Sequence, residues 1–360
     1  MSRKGRILDR YLGRWTLKGF FLVLSLLLVL FSFFELLVQV NDVGKGSYRL
    51  ADAFRYVGLT LPRRAGDLLP MAALLGGIVA LGLLADRREL TAMQAAGVSP
   101  RRIAAAVLTT GLFLTAGGIL WFEFVSPPLD QEARFLKSRA IAGRDVWLQK
   151  EGFWLRHGRA FVRVGRTGPG EGRAAEIERY EVDDAGGLVR FLYAPQATIE
   201  PSGDWVLREV RIKRFEDDRI VEEEAREIRL AAVLQPKQLA VLELPPESLS
   251  LSDLRRLTAG LEARGENAKP YALAFWQKLC QPLTTGALML LALSFVFGPT
   301  RSRTAAQRIF AGMLTGVAFS LLSQIFGHIG LLYGWPPLVT TLVPPLLAGG
   351  AALGLLKKTL

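Results

Sequence analysis

Cysteine is nearly missing: Cys280 stands alone among 360 residues, which excludes an intramolecular disulfide and a cysteine-based metal cluster. Histidine is almost as scarce. His157 and His328 lie 171 positions apart, leave little for a zinc or haem site, and have no serine or carboxylate partner at a recognisable catalytic spacing. No G-x-x-x-x-G-K-[ST] loop occurs, because the glycine-rich stretch from Gly165 to Gly172 lacks the lysine; the chain is not expected to hydrolyse ATP by itself. Charge is thin too. Only 22% of residues are charged, half are apolar and the mean hydropathy is +0.26, a composition that points to a membrane.

Six long apolar runs follow, from Gly19 to Phe34, Leu68 to Ala85, Ile103 to Phe122, Phe275 to Phe297, Ile309 to Phe326 and Leu338 to Leu356. A bilayer core takes roughly 20 residues of helix, so with flanking residues each run predicts one spanning helix. The first is long enough to span and lacks a small-x-small cleavage site, so a cleavable signal peptide is not expected.

The net charge of +12 invites a nucleic-acid reading, but its placement excludes one. With a cytoplasmic N-terminus, residues 1–18, 86–102, 298–308 and 357–360 hold 15 Lys or Arg against Asp9, Asp86 and Glu89. The remainder carries 30 basic and 30 acidic residues. The whole excess is therefore a positive-inside signal, and both termini are expected in the cytoplasm.

Between the third and fourth runs lie about 140 residues of different character, rich in charge, glycine and proline. Alternation of period two predicts strands around 145–156, 159–166, 175–183, 188–200, 205–216 and 219–230, separated by turn residues. The fifth is mixed, with Arg208 breaking one face. The topology puts this expected all-β sandwich or jellyroll on the far side of the membrane, which in a bacterium means the periplasm. After Pro245-Pro246, Leu251, Leu254, Leu257 and Leu261 at helical spacing predict an amphipathic helix leading back to the bilayer. Three units result: residues 1–129 with spans one to three, 130–266 with the β domain and connecting helix, and 267–360 with spans four to six.

Three constellations stand out. The loop Asp86 to Gly97, DRRELTAMQAAG, reads as a short helix along the membrane, stopped at Gly97 and followed by a helix start at Ser99-Pro100. It is either a solvated turn whose arginines fix topology, or a docking helix in which Glu89, Leu90 and Met93 meet a cytoplasmic partner. At the opposite boundary, Arg63 and Arg64 precede the second span while Arg134 and Lys137 share one helical face. These four cations are either snorkelling anchors or a site for a phosphate-bearing lipid head group, for which arginine forks are well shaped. Small residues recur every four positions at Ala72, Gly76 and Ala80, at Gly312, Gly316 and Ser320, and at Gly350 and Gly354, a pattern of close helix packing. Glu35, near the outer end of the first span, lines a cavity or sits at the interface.

The segments LDRYLGR (Leu8 to Arg14), LPMAALLGGIVALGLLADRRELTAMQAAGVS (Leu69 to Ser99), SFVFGPTRS (Ser294 to Ser302), QIFG (Gln324 to Gly327) and YGWPP (Tyr333 to Pro337) together resemble the LptF/LptG permease family of the lipopolysaccharide-exporting ABC transporter. LDRYLGR and YGWPP favour one of the family's two permeases over its sister. The resemblance covers essentially the whole chain and is most specific in the membrane part. It implies a six-span α-helical integral membrane protein with a periplasmic β-jellyroll inserted after the third span, paired with an LptF-like permease. An LptB-like ATPase dimer would bind below and an LptC-like bitopic protein above. It implies no cofactor in this chain, ATP and magnesium residing on the ATPase, and lipopolysaccharide as substrate.

On that basis residues 86–97 resemble a coupling helix, with Glu89 at the acidic position meeting an ATPase arginine and Leu90 and Met93 beside it. Arg63, Arg134 and Lys137, with Arg64 next to them, resemble the family's basic groups for lipid A phosphates. Where some relatives have a lysine near the outer end of the first span, this chain has Glu35, followed by Asn41 and Asp42, so the likeness does not extend to a basic group there. The rival expectations are the sister permease, an envelope-lipid-modifying enzyme using the rim cations, which the lack of an acid, base or nucleophile cluster disfavours, and a scaffold or sensor without transport.

Overall fold

The computed structural model describes residues 3–142, 153–157, 159–168, 173–183, 187–200, 202, 204–216, 219–230, 244–263, 265, 267–297 and 304–357. Helix α1 runs Arg3–Val40, α2 Leu50–Asp86, α3 Glu89–Ala95 and α4 Pro100–Leu120; a π-helical turn, Trp121–Val125, passes into α5, Ser126–Ala142. Six strands follow: β1 Phe153–His157, β2 Ala160–Gly168, β3 Arg173–Val182, β4 Leu188–Ile199, β5 Trp205–Glu216 and β6 Arg219–Leu230. A 3₁₀ turn, Pro246–Ser248, then leads to α6 Leu251–Ala263, α7 Lys269–Leu279, α8 Gln281–Phe297, α9 Ala305–Tyr333 and α10 Pro337–Lys357.

Among the described residues five helical runs are long and apolar enough to cross a membrane, and α7 with α8, bent by 50°, completes six when taken as one span. The bend has a sequence cause. Pro282 lacks an N–H and its ring meets the carbonyl four residues back, so the helix breaks at Cys280 between Leu279 and Gln281. Pro70 also lacks an N–H but lies inside the unbroken α2, and the carbonyl it frees, that of Gly66, accepts from the Gln281 side chain at 2.7 Å. A freed carbonyl in a membrane must find such a donor.

Burial ranks the helices. Of the most apolar window of each, 72% of α2 is buried against 6% of α1 and 11% of α9, so α2 is the central post and α1 and α9 turn apolar sides outward. Glycines set the crossings. A Cβ on Gly76 would stand 2.6 Å from Phe20 Cα, and one on Gly19 only 2.4 Å from the Gly76 carbonyl oxygen, so α1 and α2 meet backbone to backbone. Gly312 and Gly316 face Ile78 and Leu74 of α2. Gly350 and Gly354, the third stripe read from sequence, meet nothing within 4 Å.

The sheet is antiparallel, with every strand paired to the next in chain order from β1 to β6. The expected strands are there, the stretch 145–152 lying outside the described residues; α5 continues past the boundary expected at 129/130. Within the described residues the strand order is thus a simple meander. One face buries Val162, Ile177, Leu192, Trp205, Leu207, Val210 and Ile212 in a common core. Alternation slips by one residue along a line crossing four strands: the inward pairs Ala174/Ile177, Ala194/Ala197, Leu207/Val210 and Ala225/Ile228 are each three apart. Glu176 and Glu209 sit on that line at φ +55° and +56°, and Pro195 lies between them, so the sheet is creased. This is why Arg208 breaks the pattern of β5.

Candidate functional site

Spacings of four and seven put Asp130, Arg134 and Lys137 on one side of α5. Asp130 is fully buried. Its Oδ1 accepts from Arg63 Nε at 2.9 Å and its Oδ2 from Arg134 Nε at 3.0 Å, and Oδ2 also takes the hydroxyl of Ser248, on the strand-to-helix return. Arg63 Nη1 lies 3.3 Å from Asp67, one turn along α2. Arg64 pairs with Glu35 of α1, whose other oxygen accepts from Gln39 Nε2 at 2.8 Å. Lys137 Nζ donates to Gln39 Oε1 at 2.7 Å and lies 2.8 Å from Asp42, which Lys45 also reaches at 2.6 Å.

The four cations singled out from sequence therefore converge at the end of the bundle from which the sheet departs, but none is bare. Five cations, counting Lys45, meet four carboxylates and leave a net +1. Lys137 first and then Lys45 hold the Asp42 carboxyl down to about 2, while burial pushes the neighbouring Tyr48 phenol up to about 12. Sequence reading missed the carboxylates Asp130 and Asp67. Asp130 had a signal, since it precedes Arg134 by four on the same face; Ser248, 118 residues away, had none.

Two further features flank this rim. The outward sides of α1 and α9 present Val29, Phe33 and Leu37, and Leu321, Ile325 and Leu332 on the half of the bundle nearer the rim. Beside them a cavity of about 520 Å³ is lined by Asp67, Gln281, Ser320, Gln324 and Lys278 among others. Lys278 donates to the carbonyl oxygens of Glu247, at 2.9 Å, and Leu249. His328 rests with Nδ1 2.8 Å from the Gln324 carbonyl on its own helix.

At the other end of the bundle α3 lies across the mouth of α2 and α4. It opens after Arg88 at φ +60° and closes at Gly97, φ +84°. Leu90 is 4% exposed, in a core with Leu12, Leu84 and Ile103, and Met93 packs against it. The reason is amphipathic: α3 has one apolar side and the bundle takes it, leaving Thr91, Ala92, Ala95 and Ala96 outward. Glu89 accepts from the Tyr11 hydroxyl at 2.5 Å. Asp86, ending α2, pairs with Arg308 of α9, whose side chain is otherwise buried.

Comparison with known proteins adds kinship to this geometry. The lipopolysaccharide export system permease LptF/LptG family matches residues 10–358. The lipopolysaccharide export system permease protein LptG of Haemophilus influenzae is 36% identical over 341 residues, 94% of this chain and 95% of its own. LptG of Escherichia coli K12 is 33% identical over 94% of each chain. LptF of the same strain is 30% identical over 118 residues, 32% of each.

Proposed function

The chain belongs to the lipopolysaccharide export permease LptF/LptG family, and from that premise we propose how it moves its lipid. It is a multi-pass inner-membrane permease subunit of the export transporter, not an enzyme, and works with an LptF-like partner. In this reading a lipopolysaccharide molecule enters sideways between the outward faces of α1 and α9 and the partner permease. Its phosphates are met by Arg63, Arg64, Arg134 and Lys137. Baring each acyl CH₂ to water costs about 0.8 kcal/mol, so the lipid must stay covered throughout, first by the helices and then by the apolar face of the sheet domain on the periplasmic side.

Energy comes from a separate LptB-like ATPase pair bound at the cytoplasmic end, where ATP and magnesium are held, and an LptC-like protein joins above. Leu90 and Met93 anchor α3 to the bundle while Glu89 and the small outward residues meet the ATPase. A push on α3 passes through the core around Leu84 to α2, and through the Asp86–Arg308 pair to α9. Both termini are cytoplasmic in this account.

The observation that carries the proposal is the convergence of four cations from α2 and α5 beside two outward apolar helix faces. It is tested with photo-crosslinking side chains placed at Val29, Leu321 and, as control, the buried Leu288 of the assembled complex. Lipopolysaccharide is expected to label at the first two and not the third. Labelling absent from Val29 and Leu321 contradicts lateral entry.

A further inference from the structure

Among the described residues Asp130 is the only fully buried carboxylate. A charge so placed is tolerated only when its lone pairs are filled by strong donors, and here Arg63, Arg134 and Ser248 fill them. The manner of filling matters. Both arginines are gripped by Nε, one on each oxygen, which fixes the direction of each guanidinium and brings two like charges side by side that would otherwise repel. The terminal nitrogens are left for another acceptor: Arg134 has no further partner among the described residues, and Arg63 spends one contact, at 3.3 Å, on Asp67. A tetrahedral dianion with three oxygens fits paired forks of this kind.

The same carboxylate reaches the return from the sheet. Ser248 shares Oδ2 with Arg134, and the adjoining turn is held on both sides, with Glu123 of the π turn accepting from the Leu251 N–H at 2.9 Å and Lys278 donating to the Glu247 carbonyl. We propose that Asp130 is the positioning residue of the phosphate site, orienting Arg63 and Arg134 for a lipid-borne phosphate and tying that site to the link that carries the sheet domain. This rests on the reading of the rim as a phosphate site.

The test measures, in the assembled complex in nanodiscs, the affinity for lipopolysaccharide relative to the same lipid stripped of its phosphates. The wild-type complex is expected to prefer the phosphorylated form about tenfold or more, since two charge-assisted forks are engaged. Asp130→Asn keeps the shape but loses the charge; it should cut that preference about fivefold or more while leaving the stripped lipid bound within about twofold, because only the forks are misdirected. Should that variant not assemble, Arg134→Lys carries the test, since it keeps the charge without a fork that Nε can orient, and it too should lose the preference. A wild-type preference that Arg134→Gln abolishes but Asp130→Asn and Arg134→Lys retain overturns the role of Asp130 alone. A wild-type complex without preference overturns the phosphate reading, and this proposal with it.

Discussion

Asp42 stays ionised far below the ordinary carboxylate range because Lys137 and Lys45 donate to it. A carboxyl depressed in the folded state lends stability above its unfolded pKa and loses it as pH falls through the folded value. Its pair with Lys137 joins the loop after α1 to α5, beside the Ser47 N–H that donates to Ala140. Asp42→Asn should lower the melting temperature by an amount equivalent to about 1 kcal/mol or less, the range for exposed pairs. That deficit should be constant between about pH 7 and 5 and shrink below about pH 4, as linkage requires; a deficit independent of pH would mean that the pair carries no charge effect. At the end of the bundle opposite the sheet, Tyr11→Phe frees Glu89 from its tether, a loss of about 0.5–1.5 kcal/mol. ATPase stimulation should fall a few-fold at most, against a larger fall for Glu89→Ala. Equal loss in both would assign the role to the tether. The four rim cations were legible from their positions beside the spans. Their counter-charges were less so: the i,i+4 spacing of Asp130 and Arg134 was a local signal, but only the fold brings Arg63 and Ser248 to the same carboxylate.

Elements were legible wherever periodicity and length agreed. The six apolar runs and the six strands follow from such patterns, and α3, Glu89–Ala95, lies within the expected stretch 86–97 and stops before Gly97. What sequence could not supply was geometry arising between segments. A single fourth span was expected from Phe275, whereas α7 begins at Lys269 and breaks before Pro282. The slip in β5 was visible at Arg208, but its continuation through Glu176 and Pro195 needed strand register. Glycine stripes are a sharper case, since three looked alike. Gly76→Leu should unseat α1 from α2 and cost about 2 kcal/mol or more, as overpacking at a backbone contact does. Gly350→Ala should change stability by no more than about 0.5 kcal/mol in the unfavourable direction, and helix propensity favours it. Unfolding followed by intrinsic fluorescence in detergent distinguishes them, and equal effects would deny that the two stripes differ.

For the whole molecule, charge and burial divide labour between its two ends. The excess of +12 sits in four segments expected at one membrane face, whereas the sheet end is nearly neutral, its cations already matched by carboxylates. That balance suits a station a phosphorylated lipid must leave again, since a bare cluster would hold it. Buried α2 connects the two ends, and α1 and α9 turn exposed apolar faces outward, which the proposed function assigns to lipid and a second permease. The central claim is that this subunit conducts lipopolysaccharide but takes its energy from elsewhere. The direct measurement is transfer of lipopolysaccharide from proteoliposomes to a soluble acceptor, with the chain reconstituted alone, with its partner permease, and with the partner and the ATPase. The account predicts transfer only in the last case and only with ATP; ATP hydrolysis or transfer by the chain without the ATPase would contradict it.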